Sequence, residues 1–340
     1  MPLKIGLEAS SVCQLRCPSC PTASKAILPV VGSGFLKLRD FQKLLDESPW
    51  LKEIELSNWG EIFLNPDLLE IIKYAYERGV VLKADNGVNL NHVRETVLEG
   101  LVKYKFRRMI CSIDGASNET YKVYRVRGNF DTVIENIKKI NLFKGKYQSE
   151  YPQLAWQFVV FGHNEHEIQL ARKLANDLDM NFYLKLTWDD KFSPLRDQEF
   201  VRKEVDAVSR EEYKQKYNVD YMGGACHQLW DQPQINWDGK VLGCCRNLGG
   251  DFGGNAFRDG LLESLNNEKI KYAREMLLGK KVARGDIPCT TCPTYLGMKA
   301  DRKWLRRRSL SLPYRAFRSI YRSLGLQHLR QQLKNHRWLL

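Results

Sequence analysis

The sequence predicts an α/β protein: a partial barrel of six βα units, a small cysteine-rich α+β extension, and a basic helical tail. Three observations carry that expectation. Strand-like and helix-like segments alternate over the first two-thirds of the chain, the pattern of a parallel sheet with crossover helices. Six such units fall short of the eight that close a full barrel. The cysteines and the basic residues are concentrated in separate stretches rather than spread along the chain.

Apolar or β-branched runs predict strands at Lys4–Ala9, Glu53–Ser57, Val80–Asp85, Met109–Ile113, Leu154–Phe161 and Phe182–Leu186. Helical patterns lie between them in LRDFQKLLDE, PDLLEIIKYAYERG, NFDTVIENIKKINLF and NEHEIQLARKLANDL. Their apolar residues recur at three and four, as in Leu68, Ile71, Ile72 and Ala75. Asp189–Asp220 turns polar and reads as a linker. After it, WDGK fits a hairpin turn between short strands at Gln234–Asn236 and Val241–Gly243. The expected units are residues 1–215 for the barrel, 216–298 for the extension and 299–340 for the tail.

With 340 residues and 43% hydrophobic content, the chain can bury a sizeable core. No run reaches the roughly 18 apolar residues of a membrane span, and MPLKIGLEAS lacks a signal-peptide pattern. The protein therefore reads as cytoplasmic. A reducing compartment favours metal or catalytic roles for the nine cysteines over disulfides.

The net charge of +13 is mostly local: Lys299–Leu340 holds twelve Lys or Arg against Asp301 alone, so the remaining body is near neutral. In the tail, Arg315, Arg318 and Arg322 oppose apolar residues at helical spacing. A basic amphipathic helix suits a peripheral contact with a membrane surface or a partner, or else packs on its own domain. The body carries no nucleic-acid module, so nucleic acid is not the expected partner. Phosphate-loop, HExxH and GxSxG motifs are absent. His163 and His166 begin a predicted helix and read as surface or capping residues.

Cys13, Cys17 and Cys20 directly follow the first strand, at the barrel end where active residues sit. A closed metal site takes four protein ligands. Three thiols fit a zinc ion that borrows a distant ligand, or a 4Fe–4S cluster with one iron left open.

The spacing C-x3-C-x2-C resembles the signature of radical S-adenosylmethionine (SAM) enzymes. NWGEIFLNPDL (58–68) resembles the family's glycine-rich motif, with Gly60 and Glu61 matching while Asn58, Trp59 and Ile62 depart from it. DNGVNL (85–90) resembles the TNG-type loop after the third strand, and SIDGASNETYKVYRVRG (112–128) the segment after the fourth. The resemblance implies a partial TIM-type barrel in which Cys13, Cys17 and Cys20 hold a 4Fe–4S cluster whose open iron binds SAM. It further implies SAM contacts at Gly60, Glu61, Asn86, Ser112, Asp114 and Arg125. Gln157 and Lys185, on late strands facing the pocket, are candidates for SAM or substrate. Trp188, Asp189 and Asp190 either line the substrate mouth or form a polar strand end.

The second cysteine set is Cys226, Cys244, Cys245, Cys289 and Cys292. Cys289-Thr-Thr-Cys292 is a metal knuckle that suits zinc as well as iron. Its setting resembles the SPASM/twitch extension of radical SAM enzymes, which implies one auxiliary 4Fe–4S cluster on Cys226, Cys244, Cys289 and Cys292; a zinc ribbon is the alternative. Cys245 is left as a ligand in place of Cys244, a spare thiol, or a hydrogen-atom donor to a substrate radical. Adjacent strand residues face opposite sides, so both cannot readily serve one cluster. Cys111, within an apolar run, reads as core.

By this resemblance the enzyme reductively cleaves SAM to a 5′-deoxyadenosyl radical that abstracts a substrate hydrogen atom. The electron comes from a donor such as flavodoxin or ferredoxin. The single auxiliary cluster resembles dehydrogenases of the family, and a start so near the first strand leaves no leader-peptide-binding domain. The expectation is therefore dehydrogenation or epimerisation of a small sugar- or polyol-like molecule, or of a lipid-linked glycan. The alternatives are a peptide- or protein-modifying maturase and a non-catalytic metal-binding scaffold.

Overall fold

The computed structural model describes residues 1–218, 220–222 and 225–305. The basic helix expected beyond residue 305, with its membrane contact, lies outside the described residues. Among those described, no helix is long and apolar enough to cross a membrane.

All six predicted strands are present: β1 (Lys4–Leu7), β2 (Glu53–Glu55), β3 (Val81–Val88), β4 (Arg108–Ser112), β5 (Gln153–Val160) and β6 (Asn181–Leu186). A seventh, β7 (Gln234–Ile235), joins from the extension, giving the order β6-β5-β4-β3-β2-β1-β7. Every pairing is parallel. Each of β1 to β6 lies beside its sequence neighbour, as in a (β/α) barrel, but β6 and β7 stand at opposite ends of the sheet. The barrel is partial.

The helices bury the stripes that their periodicity predicts. Leu38–Asp46 buries Phe41, Leu44 and Leu45, and Leu68–Glu77 buries Leu68, Ile71, Ile72 and Ala75. Phe130–Tyr147 starts where the Asn129 side chain accepts from the Thr132 amide at 3.0 Å, which satisfies one free donor of the first turn. Each fully buried Leu or Ile contributes about 1.5–3 kcal/mol of burial free energy, and these stripes supply most of the barrel's outer core.

Three expectations need correction. The polar stretch 189–220 is no plain linker, because it carries helices at Gln198–Val205 and Arg210–Tyr217. Asp197 and Ser209 cap them by accepting from the Phe200 and Glu212 amides. Both helices are short and largely exposed, so they show little apolar periodicity. Second, Asp85-Asn86-Gly87 lies inside β3 rather than in a loop after it, at a register shift against β4 between Ala84 and Val88. Third, the expected hairpin shrinks to one antiparallel bridge, Ile235–Val241, and its first strand docks on β1 instead. Gly6 makes that docking fit: the Gln234 carboxamide fills the space where a Cβ would stand. One buried core consequently runs from Ile5 and Leu7 of the barrel to Ile235, Phe252, Leu277 and Tyr295 of the extension.

Candidate active site

The loop after β1 sets its three thiols around a small apolar cluster. Cys17 is buried with Leu15, Tyr124, Val159 and Phe161, while Cys13 and Cys20 are half-buried against it. Polar side chains from several strands hold this loop and its surroundings. Arg125 donates to the Cys17 thiol at 3.6 Å and pairs with Asp114 at 2.6 Å. Asp114, fully buried, also accepts from the Val159 amide at 2.7 Å. Asn89 Nδ2 reaches the Cys13 thiol at 3.7 Å. Burial, then the nearby Glu61 carboxylate, pushes the Cys13 thiol up to about 12.

The loop after β2 lies alongside. Gly60 packs so closely on the Ser10 carbonyl that a Cβ would collide with it. Glu61 accepts from the Phe63 and Asn89 amides at 3.3 and 2.6 Å, and burial raises it to about 7. Its carboxylate thus joins loop to β3. Asn86 is tied back to Ser57, through its amide to the hydroxyl and its side chain to the carbonyl. Ser112, buried at the end of β4, presses its hydroxyl against Gly87, which has φ +117° and no room for a side chain. Gly60, Glu61, Asp114 and Arg125 of the SAM-contact candidates therefore lie against the thiol loop, directly or through one another, whereas Asn86 and Ser112 are placed beside Ser57 and Gly87. Asp114, Glu61 and Asn86 spend their side chains on protein partners.

Sequence reasoning missed Glu8. It is fully buried and accepts from the Trp59 and Gly60 amides at 3.0 and 3.3 Å. Burial raises it to about 8. A lone carboxylate inside the predicted strand Lys4–Ala9 was the available signal. Trp188 and Asp189 have a partner that the sequence did not indicate. Asp189 accepts from the Ser19 hydroxyl at 2.7 Å and Trp188 Nε1 donates to the Ser19 carbonyl at 3.2 Å. They grip the thiol loop; Asp190 is exposed. His163 is no surface cap: it stacks on Phe161 with ring centroids 5.4 Å apart, whereas His166 is exposed as expected.

Cys226, Cys244, Cys289 and Cys292 line one chamber, with Leu229, Asn247, Phe252, Leu277, Pro288 and Tyr295 as its other walls. Cys245 is not among the lining residues. It sits in a turn rather than a strand, its amide donating to Gln228 Oε1 at 2.8 Å and its carbonyl accepting from Asn58 at 3.2 Å. Its thiol lies within the electrostatic reach of Lys185 on β6. Cys111 is fully buried in β4, as read. Among the described residues, no three His, Cys, Asp or Glu side chains are set to hold a single metal ion. Four thiols around one otherwise apolar chamber fit a closed iron–sulfur site.

Residues 7–151 match the family model of the radical SAM superfamily, and residues 226–293 match that of the SPASM iron–sulfur cluster-binding domain. The chain carries a radical SAM domain and a C-terminal SPASM iron–sulfur domain. This radical SAM protein is accordingly an oxidoreductase-type enzyme, and the two domains imply a SAM-binding 4Fe–4S cluster together with auxiliary iron–sulfur binding in the extension. No curated protein matches the chain in sequence. Among solved structures, SAM-bound SuiB of Streptococcus suis shares the fold with a TM-score of 0.60 at 14% identity, over 87% of this chain and 71% of SuiB. SuiB bound to its precursor peptide SuiA gives 0.59 at 13% identity, over 87% and 70%. A third SuiB structure is covered over only 66% of its length, so this chain spans about two-thirds of that relative. The protein anSMEcpe with bound AdoMet gives 0.60 at 17% identity, over 86% of each chain. At these identities the likeness establishes the fold.

Proposed function

We propose that this enzyme modifies a peptide or protein substrate by removing a hydrogen atom from an unactivated C–H bond. The observation that supports it is the two-part architecture shared with SuiB, whose structure with a precursor peptide matches 87% of this chain. This reading displaces the small-molecule expectation as the first choice. When bound, the cluster and SAM supply the 5′-deoxyadenosyl radical that takes the hydrogen.

The chain's own residues supply the setting. Cys13, Cys17 and Cys20 hold the SAM-binding cluster, with Arg125 beside Cys17 and fixed by Asp114. Gly60 lets the loop after β2 lie against the thiol loop. Gly60, Glu61, Asn86, Ser112, Asp114 and Arg125 frame the SAM site. Cys226, Cys244, Cys289 and Cys292 hold one auxiliary 4Fe–4S cluster. Barrel and extension sharing one core keep the two thiol sets in fixed relation.

A second reading, epimerisation or dehydrogenation of a sugar- or polyol-like substrate, is favoured by Cys245. This thiol does not line the four-thiol chamber, and its charge is felt by Lys185 on β6 as well as by Cys226 and Cys244. As a hydrogen-atom donor it would give its hydrogen to the substrate radical and become a thiyl. One electron from flavodoxin or ferredoxin and one proton would restore it.

The test is isotopic. Reconstituted enzyme is given SAM, reductant and deuterated peptides encoded beside its gene, and 5′-deoxyadenosine is analysed by mass. Deuterium in 5′-deoxyadenosine supports the peptide reading; deuterium only from a labelled sugar or polyol overturns it.

A further inference from the structure

The inner wall of the barrel ends in two cations, Lys185 and Arg210, that make no direct ion pair among the described residues. Gln157 pairs in register with Tyr183, and Val159 with Lys185, across β5 and β6. Ser112 pairs with Gln157 across β4 and β5. Ser112, Gln157, Tyr183 and Lys185 therefore share the face that looks toward the SAM site. Gln157 Oε1 accepts from both Tyr183 Oη at 3.2 Å and Lys185 Nζ at 3.1 Å. That bond uses one of the three donors of the ammonium.

Arg210 stands over the end of the same strand. Its Nε and Nη2 donate to the Leu186 carbonyl at 3.1 and 2.9 Å. Its guanidinium lies 4.7 Å from the Tyr221 ring centroid and 5.7 Å from that of Trp188. Arg246 joins from the extension, bonded to Thr294 Oγ1 at 2.9 Å and 3.9 Å from Asp220. Other cations inside the barrel are paired: Arg125 with Asp114, Lys83 with Glu53 and Asp85, Arg108 with Asp85. Among the described residues, neither Lys185 nor Arg210 makes an ion pair with a carboxylate; Asp114 acts on Lys185, and Asp220 and Asp190 on Arg210, only from beyond contact. Two neighbouring like charges, each half-buried, are unfavourable until an anion joins them.

We infer that Lys185 and Arg210, backed by Arg246, form an oxyanion site for the substrate, receiving a carboxylate or phosphate group at the barrel mouth. The inference rests on the reading that this mouth admits substrate, and it adds what the substrate must carry. On a peptide the group is an acidic side chain or the terminal carboxylate; on a sugar it is a phosphate. Burial, followed by the Arg210 charge, lowers Lys185 to about 8, and the more distant Asp114 only partly offsets them.

Anaerobically reconstituted full-length enzyme with SAM bound is titrated calorimetrically with inorganic pyrophosphate and, separately, with N-acetylglutamate. Saturable binding of either ligand is expected, weakened about tenfold or more in Lys185→Met and in Arg210→Gln. Lys185→Arg should retain it, and SAM affinity and iron content should hold in all three variants. Preference for pyrophosphate assigns the oxyanion to a phosphate, and preference for N-acetylglutamate to a carboxylate. No saturable binding, binding unchanged in the variants, or a loss that falls on SAM affinity instead overturns the site. Failure of the peptide reading shows separately, as deuterium transfer from no peptide while oxyanion binding persists.

Discussion

The two thiol sets differ in how much polar contact holds them. Around Cys13, Cys17 and Cys20 a small apolar cluster is supplemented by a polar grip: Arg125 with Asp114, Asn89, and Trp188 and Asp189 on Ser19. Around Cys226, Cys244, Cys289 and Cys292 the grip is apolar, from Leu229, Phe252, Leu277 and Tyr295. On the proposed reading the first loop leaves one iron open to an exchangeable ligand, which needs directional contacts that fix the loop without covering it. A closed site can be wrapped in packing, and packing is what a small extension has available.

The largest effect should come from the thiols themselves. Alanine at Cys13, Cys17 or Cys20 should reduce 5′-deoxyadenosine formation to background, whereas Cys292→Ala should retain it while losing substrate turnover. Either class of variant should carry about four irons per chain instead of about eight. If Cys292→Ala also abolishes SAM cleavage, the contrast between open and closed sites collapses.

Next, Arg125→Met should lower stability by about 3–5 kcal/mol, because it strands the buried Asp114 charge. Asp114→Asn added to it should recover part of the loss in urea unfolding. On the apolar side, Leu277→Ala should cost about 2–5 kcal/mol and release auxiliary iron first, leaving SAM cleavage intact.

A sharper distinction concerns neighbours in sequence. Cys244→Ser should lose auxiliary iron, while Cys245→Ser should keep it, read by iron content and the spectrum of the reduced enzyme. Equal losses would mean that both thiols serve the cluster.

The smallest effect is expected at Lys185. Burial, followed by the Arg210 charge, disfavours its ammonium in the folded state while Asp114 pulls the other way, so its value falls from 10.5 to about 8. Between these values the unfolded chain binds more protons, and stability rises with pH. Lys185→Met should therefore stabilise the protein below pH 8 by up to about 3 kcal/mol. The gain should shrink through that window and vanish above it, as followed by melting temperature against pH.

The partial barrel was legible because each strand and crossover helix announces itself locally. Apolar runs gave the six strands, and residues such as Leu68, Ile71, Ile72 and Ala75 gave the helix stripes. The thiol loop was legible because its cofactor demands three cysteines at short fixed spacing. The helices at Gln198–Val205 and Arg210–Tyr217 were hidden by their exposed, charged faces.

What the sequence could not decide concerns groups distant in the chain. Glu8 reaching the amides of Trp59 and Gly60, Gln234 filling the space beside Gly6, and Cys244 rather than Cys245 lining the chamber were decided by tertiary structure. So was the meeting of Lys185 with Arg210. Spacing along a chain fixes which residues share a strand face or a loop. Which buried charge finds a partner, and which is left waiting for one, depends on how separate segments pack together.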